Sequence, residues 1–272
     1  MQAFRENFAE LSRDLERIEN LLMLIKSLRD FGMEDLGKTE RPQVDAVAAA
    51  LWTQAQERRT DLPLISGSLV LYMAGRFEYF AKSLVSITAD EIAESCSRFD
   101  DLPAPLQREL INKTAEVALD PRKYGFDDAR RRACIIALAE NFGARENVRN
   151  INSSVLAITD ANLRPRPLAD LFKRVGVTDL LSRVGKQTKM QAYFESNDEA
   201  FVNRSVDNKL NEIMDERNNV AHPTGSVTFP GPDQVLEHIR FLRILSETLS
   251  ELLQVHVSSF RKSMSDAVDV LS

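Results

Sequence analysis

Apolar residues recur every three or four positions along most of this chain, a spacing typical of helices that bury one face. Segment 4–28 shows the pattern most clearly, at Phe4, Phe8, Leu11, Leu15, Ile18, Leu22, Ile25 and Leu28. The alternation of three and four is that of a heptad seam. No long alternating run of Val, Ile and Thr occurs, and the 272 residues include only ten Gly and ten Pro. The sequence therefore predicts an all-α protein.

Gly32, Gly37 and Pro42 interrupt the first helical pattern, and residues 44–59 resume it. We therefore expect an N-terminal helical hairpin, coiled-coil-like in its first arm, over residues 1–61, followed by a helical domain over residues 62–272. The heptad face needs an apolar partner surface. That partner is either a neighbouring helix of the same chain or a second protomer, and the sequence favours neither.

The formal net charge of −6 does not suit a general nucleic-acid binder, because phosphate contacts require locally dense Lys and Arg. Any nucleic-acid site must then be a local basic patch. The stretch 164–189 contains seven cationic residues, at Arg164, Arg166, Lys173, Arg174, Arg183, Lys186 and Lys189. In the simpler interpretation each of them is an ordinary solvated position, and so is the run Arg130-Arg131-Arg132.

Cys96 and Cys134 are the two cysteines, and neither belongs to a CxxC or Cys/His ligand pattern. We expect buried, reduced thiols, with neither a zinc site nor a disulfide framework. The N-terminus is charged from Arg5 onward, and no apolar run approaches membrane-spanning length. The sequence thus predicts a cytoplasmic protein without membrane contact, cofactor or metal.

Residues 64–87 predict a long apolar-rich helix, in which Gly75 marks a close packing contact. Thr88 and Glu91 form a capping-box pattern, so a separate short helix is expected to begin at Thr88. Further helices are predicted at residues 105–119, 127–141, 168–184 as two short pieces, and from 233 to 257 or beyond.

A polar helix predicted at residues 198–222 carries the side chains that suggest chemistry. Pro223 stops this helix, so His222 lies at its carboxyl end, where the helix dipole favours the imidazolium. Asn218 lies one turn earlier on the same face, and its amide could orient the ring. Arg217 has forked donors that suit a phosphate gaining charge in a transition state. The simpler alternative is a solvated helix end with His222 as a cap.

The run Arg217-Asn218-x-x-x-His222 resembles the signature of the HEPN superfamily, which comprises all-α domains whose motif is Arg followed a few residues later by His. The resemblance covers about Leu62 to the C-terminus. It implies a HEPN-like helical bundle with a metal-independent endoribonuclease site, in which Arg217, Asn218 and His222 are catalytic. It also implies a homodimer in which the motifs of two protomers face each other across a shared cleft.

A second element agrees with this resemblance. The 64–87 helix, with Phe77, Glu78 and Phe80, is similar to the first core helix of stand-alone prokaryotic HEPN proteins from defence and toxin systems. Glu78 is a supporting residue in one interpretation, paired with Arg217, and a surface glutamate in the other. Toxins paired with nucleotidyltransferase antitoxins place Tyr two residues after the His, where this chain has Thr224, so control through that position is not expected.

The resemblance therefore predicts a toxin or antiviral defence effector that cleaves RNA by attack of the ribose 2′-hydroxyl. Its partners would be the RNA substrate, a second copy of the chain, and an antitoxin or defence-system protein. The alternative is a non-catalytic HEPN-like adaptor that binds RNA, a nucleotide or a partner protein through the same surface.

Overall fold

A computed structural model of the chain describes residues 1–33, 46–58, 60–143, 148, 151–159, 162–222 and 228–271. Within these residues the chain forms ten α-helices and no β-strand, which confirms the all-α prediction. The helices are α1 (Gln2–Met33), α2 (Ala46–Glu57), α3 (Leu62–Ala93), α4 (Ala104–Leu119), α5 (Asp128–Gly143), α6 (Pro165–Lys173), α7 (Leu180–Gly185), α8 (Thr188–Tyr193), α9 (Glu199–Ala221) and α10 (Pro232–Leu271).

Helix α3 lies at the centre of the bundle, with α1, α9 and α10 packed around it. Pro63 occupies its first turn, where a missing N–H costs nothing because that group has no helical acceptor. Apolar residues cover most of its circumference, as expected of a buried helix. Phe77 and Phe80 are fully buried, and each such side chain stabilises the fold by about 1.5–3 kcal/mol. The predicted long helix is therefore the core element.

The heptad face of α1 packs on α3 and α10 of the same chain. The Phe8 ring meets the Phe80 ring edge-on, with the centroids 6.5 Å apart. Arg76 of α3 forms ion pairs with Glu10 and Asp14 of α1. The sequence left two partners open for the heptad face of α1, a helix of the same chain or a second protomer. In the structure, helices of the same chain cover this face.

Helix α2 packs back on α1, as the hairpin prediction requires. At Gly32 the two helices are so close that an added Cβ would lie 2.9 Å from the carbonyl carbon of Ala55. The buried face of α1 belongs to the same apolar core as α3, α9 and α10. The division of the chain into two parts at residue 61 stays a prediction. Among the described residues, the apolar core continues across this position without a break.

Two details predicted for α3 are wrong. Thr88 does not begin a new helix, because α3 continues to Ala93 and the buried Thr88 hydroxyl donates to the Leu84 carbonyl one turn back at 2.7 Å. Gly75 is exposed, and a Cβ added there would meet nothing within 4 Å. The close contact of α3 lies instead at the buried Gly67.

The smaller helices follow the predicted pattern in part. The break within 168–184 is confirmed between α6 and α7, where Gly176 has φ +86°. Helix α8 was not predicted. Cys96 and Cys134 are buried and free, as expected, and burial raises the pKa of the Cys96 thiol to about 11. Within the described residues, no helix combines the length and apolarity needed to span a bilayer.

Candidate functional site

The helix that carries the predicted motif is α9. Asp198 caps its start by accepting the N–H groups of Ala200 at 2.9 Å and Phe201 at 3.2 Å, an arrangement whose loss typically costs about 1 kcal/mol. Its buried apolar residues are Val202, Val206, Leu210, Ile213 and Met214. These pack mainly on α3 and α7, so the polar side of α9 faces outward.

Arg217, Asn218 and Asn162 form a hydrogen-bonded cluster on the last turns of α9. Arg217 Nη1 donates to Asn218 Oδ1 at 3.0 Å. Asn162 Nδ2 donates to the same oxygen at 2.7 Å. All three side chains are half-buried. Because one amide oxygen accepts both donors, Asn218 ties the guanidinium to the segment before α6 and restricts its orientation.

The acidic side chains near Arg217 already have partners. Arg164 Nη2 lies 2.6 Å from Asp215 Oδ1. His238 Nε2 of α10 lies 2.8 Å from Glu216 Oε2, and the His238 ring is fully buried. Within the described residues Arg217 itself forms no ion pair with a carboxylate. Its positive charge is therefore available to an anion from outside the chain.

His222 is exposed at the carboxyl end of α9. Its backbone N–H donates to the Asn218 carbonyl at 3.0 Å, which closes the last helical turn. Residues 223–227, which include Pro223 and Thr224, lie outside the described residues. The expected hydrogen bond from the Asn218 amide to the His222 ring is not formed, because the Asn218 side chain turns to Arg217 and Asn162 instead. Asn218 thus orients the arginine and not the imidazole.

Glu78 does not pair with Arg217. Its Oε1 accepts from Lys82 Nζ at 2.6 Å, one turn along α3. Near its carboxyl end, α9 packs on α3 where Val220 faces Gly67. Glu78 lies eleven residues beyond Gly67 on α3, which is about 16 Å along the helix axis. Glu78 is therefore a surface glutamate with a local partner. The pairing with Arg217, which would have made it a supporting residue of the site, is not formed.

Gly67 brings the central helix directly under the end of the motif helix. A Cβ added at Gly67 would lie 2.5 Å from Phe229 Cδ1 and 3.3 Å from Val220 Cγ2. Val220 is two residues before His222. The absence of a side chain at Gly67 therefore sets how closely the end of α9 approaches α3, and with it the position of His222.

The seven cationic residues predicted as RNA contacts differ in their surroundings. Arg164 is bonded to Asp215 and Asn211, and Lys189 lies within 2.7 Å of both Glu247 and Glu251. Lys186 lies 3.7 Å from Glu199. The more accessible cations of the set are Arg166, Lys173 and Arg183, all exposed on α6 and α7.

One group among the described residues has the geometry to hold a cation. Ligand atoms of Glu212, Glu216 and His238 all lie within 4.8 Å of one another. Protein partners already satisfy this group, since Glu212 lies 3.2 Å from Lys209 and Glu216 bonds to His238 and Gln234. The chemistry of the group therefore does not require an ion, and the metal-free site stays a prediction.

Sequence reasoning missed Asn162 and the Glu216–His238 pair. Asn162 is 56 positions from Asn218, and nothing in its local sequence separates it from the other asparagines of a polar loop. His238 had one available signal, because it falls within the apolar pattern of α10, where a histidine must be buried and needs a partner. The partner itself becomes visible only when α9 and α10 are packed together.

Together, an all-helical bundle and an Arg-x4-His sequence at the exposed carboxyl end of a core helix define a HEPN-type domain. The family model of RiboL-PSP-HEPN matches residues 14–255, and the chain belongs to this family. The match begins within α1 and reaches α10. Comparison with the curated proteins and with the solved structures gives no significant match.

Proposed function

We propose that this protein is a metal-independent endoribonuclease that cleaves RNA by internal transesterification. Membership of the RiboL-PSP-HEPN family supports an RNase-like domain. The observation that carries the proposal is local: a guanidinium held by an amide, without a carboxylate partner among the described residues, lies on the same helix end as an exposed imidazole. This combination suits a phosphodiester whose charge increases in the transition state.

In the proposed reaction the ribose 2′-oxygen attacks the adjacent phosphorus, and the bond from phosphorus to the 5′-oxygen breaks. His222 takes the 2′-hydroxyl proton or delivers a proton to the leaving 5′-oxygen. Arg217 binds the scissile phosphate and stabilises the added negative charge. Asn218 keeps the guanidinium in place. The products are a 2′,3′-cyclic phosphate and a 5′-hydroxyl.

A homodimer would complete this site. One motif supplies one imidazole, whereas the reaction is fastest with a separate base and acid. A two-fold axis near the end of α9 would bring two His222 side chains together. The exposed Leu64 and Ile65 support pairing at this end of the bundle, because they lie within one turn of Gly67, which packs beneath Val220. Burial of such residues favours association.

The proposed biological role is that of a toxin or an antiviral defence effector acting on cytoplasmic RNA. Such an enzyme needs restraint in its own cell, so an antitoxin or a defence-system protein is the expected partner. The experiment that tests this function is induced expression of the wild type, Arg217→Ala and His222→Ala at matched protein levels. Growth and the integrity of total RNA are recorded from each culture.

We expect growth arrest with RNA fragmentation for the wild type and neither effect for the two variants. Asn208→Ala, which removes an exposed polar residue from the same helix, is the matched control and should behave as the wild type. If all four proteins are harmless, the purified proteins are assayed on RNA directly. Purified wild type without cleavage would count against the nuclease and for the adaptor.

The adaptor function has one observation in its favour. Among the described residues, His222 is the one exposed histidine, so a single chain can bind a phosphate through Arg217 but lacks the second acid–base group that fast cleavage needs. The two functions differ in what His222→Ala does. An enzyme loses cleavage and retains RNA binding, whereas an adaptor loses binding and has no cleavage to lose.

A further inference from the structure

A cleft between α4 and α6 concentrates positive charge in a protein whose net charge is −6. The cleft has a volume of about 270 Å³ and is lined by Arg108, Glu109, Lys113, Asp170, Lys173 and Arg174. Four of these side chains are cationic and two are acidic. The α4–α6 cleft therefore has the local excess of positive charge that binding of a phosphate backbone requires.

Two of the four cations, Lys173 and Arg108, can be reached by a ligand, whereas Lys113 lies 2.8 Å from a Glu116 carboxylate oxygen. Lys173 is exposed at the end of α6 and forms no ion pair with the described residues. The Arg108 side chain is 66% exposed, and its ion pair with Glu109 is long, at 3.9 Å. Exposed pairs of this kind contribute little stability, so a phosphate can replace the carboxylate. Arg174 is fixed in the wall, because its Nη1 donates to two backbone carbonyls at 2.6 Å.

A larger cavity adjoins the α4–α6 cleft and shares Asp170 and Lys173 with it. Its volume is about 600 Å³, and its lining combines apolar side chains such as Val177 and Leu180 with the hydroxyls of Thr178 and Ser182 and the carboxylates of Asp170 and Asp179. Apolar walls with a few convergent polar groups are typical of small-molecule sites. The cavity suits a base and a ribose, whereas the cleft suits the phosphate attached to them.

Helix α6 connects this region to the motif. At its start Arg164 is bonded to Asp215, two residues before Arg217. At its end, about 12 Å further along the helix axis, lies Lys173. Between them Arg166 is 94% exposed. A single strand with its scissile phosphate at Arg217 can therefore follow α6 and reach the cleft within a few nucleotides.

We propose that the α4–α6 cleft and its adjoining cavity form a nucleotide-binding subsite for the RNA strand, separate from the Arg217–His222 motif. The proposal rests on the proposed function for the identity of the ligand. The chemistry recognised is a phosphate with its nucleoside, and the source of that phosphate is an RNA strand.

The test is a charge reversal measured by RNA binding. The cleft variant is Arg108→Glu with Lys173→Glu. The matched control is Arg5→Glu with Arg13→Glu on α1, which changes net charge equally at exposed positions of a helix that packs mainly on α2, α3 and α10. The probe is a fluorescent single-stranded RNA of about 16 nucleotides, in the size range of known single-strand sites. Helical content by circular dichroism verifies that both variants fold.

We expect the cleft variant to bind the probe at least tenfold more weakly than the wild type, and the control variant to bind it nearly as the wild type does. Loss of two phosphate contacts should also reduce the slope of log K against log salt by about 1.4. Unchanged binding by the cleft variant, or equal weakening in both variants, would overturn the proposal. Adenosine monophosphate is tested as a second ligand. If the cleft variant loses only that ligand, the site holds free nucleotides and the RNA proposal is wrong.

Failure of this proposal is distinguishable from failure of the proposed function. Binding is measured without reference to cleavage, and the cleft variant leaves Arg217 and His222 untouched. If the protein binds RNA through the cleft but never cleaves it, the subsite proposal stands and the nuclease proposal fails. If the wild type cleaves RNA and the cleft variant binds and cleaves RNA equally well, the nuclease proposal stands and the subsite proposal fails.

Discussion

The side-chain amide of Asn162 donates a 2.7 Å hydrogen bond to Oδ1 of Asn218, across 56 residues of chain. The same oxygen accepts from Arg217 Nη1. A loop residue outside the motif thereby fixes the arginine that we propose binds the scissile phosphate. Half-buried polar groups in such a network have few alternative partners, so the orientation of Arg217 depends on Asn162 as well as on its own neighbour.

Asn162→Ala should lower RNA cleavage without unfolding the protein. Loss of the amide frees Asn218 to rotate, and a small displacement of a substrate-positioning group can cost about 100-fold in rate. Initial rates on a defined RNA, compared with Asn208→Ala, measure the effect. A full wild-type rate for Asn162→Ala would show that Arg217 keeps its position without this bond.

Arg217→Lys should also be severely impaired, although the charge is retained. Lys is a point charge on a flexible stem and cannot reproduce the forked donors of the guanidinium. Loss of a transition-state donor typically lowers kcat by about 100-fold to 1000-fold. Single-turnover cleavage rates separate this effect from weaker RNA binding. Near-normal rates for Arg217→Lys would mean that only the charge matters.

Two glycines of α3 should respond oppositely to substitution by alanine. At Gly67 the new Cβ would press on Phe229 and Val220, and overpacking of this kind costs about 1–3 kcal/mol. At Gly75 the Cβ meets open space, and the gain in helix propensity should stabilise by about 0.5–1 kcal/mol. Urea denaturation of both variants measures the difference. We also expect Gly67→Ala to reduce cleavage, because Val220 is close to His222 in the chain.

Stability should fall when the pH drops below the usual range of histidine, in part through His256. Burial lowers the pKa of His256, and Arg183 acts in the same direction against the 3.1 Å bond to the Val175 carbonyl. The unfolded chain therefore binds a proton near pH 6.5 that the folded chain takes up only at lower pH. Above about pH 6.5 His256 therefore adds no pH dependence to the free energy of unfolding. Below that pH it lowers this free energy.

His256→Gln removes the titrating ring and can retain a donor to the Val175 carbonyl. The decline in the free energy of unfolding between about pH 6.5 and pH 5 should be smaller in this variant than in the wild type. Denaturant unfolding at several pH values provides the comparison. If the free energy of unfolding declines equally in the wild type and in His256→Gln, groups other than His256 cause the acid sensitivity.

Cleavage should persist in excess EDTA. The proposed chemistry uses an imidazole and a guanidinium, and the Glu212, Glu216 and His238 group is satisfied by protein partners. Rates are measured after dialysis against EDTA and again after addition of Mg²⁺. Activity that disappears with the chelator and returns with the metal would contradict the proposed mechanism.

Local patterns in the sequence were sufficient for most of the helices. Periodicity predicted α1, α3, α9 and α10, because each buries one face or nearly all of its surface. Pro223 and the preceding polar helix located His222 at a helix end. The capping box at Thr88 failed because a Thr hydroxyl can equally bond one turn back inside a helix, and packing of α3 favoured that choice.

The sequence by itself determined the helical class, the motif with its histidine at a helix end, and the family resemblance, since all three depend on residues close together in the chain. Tertiary structure alone decided which partners the side chains have. It placed Asn162 against Asn218, kept Glu78 away from Arg217, and brought residues of α4 and α6 together into a basic cleft. The physical reason is that a hydrogen bond or a cleft depends on distances across packed helices, and local periodicity contains no information about those distances.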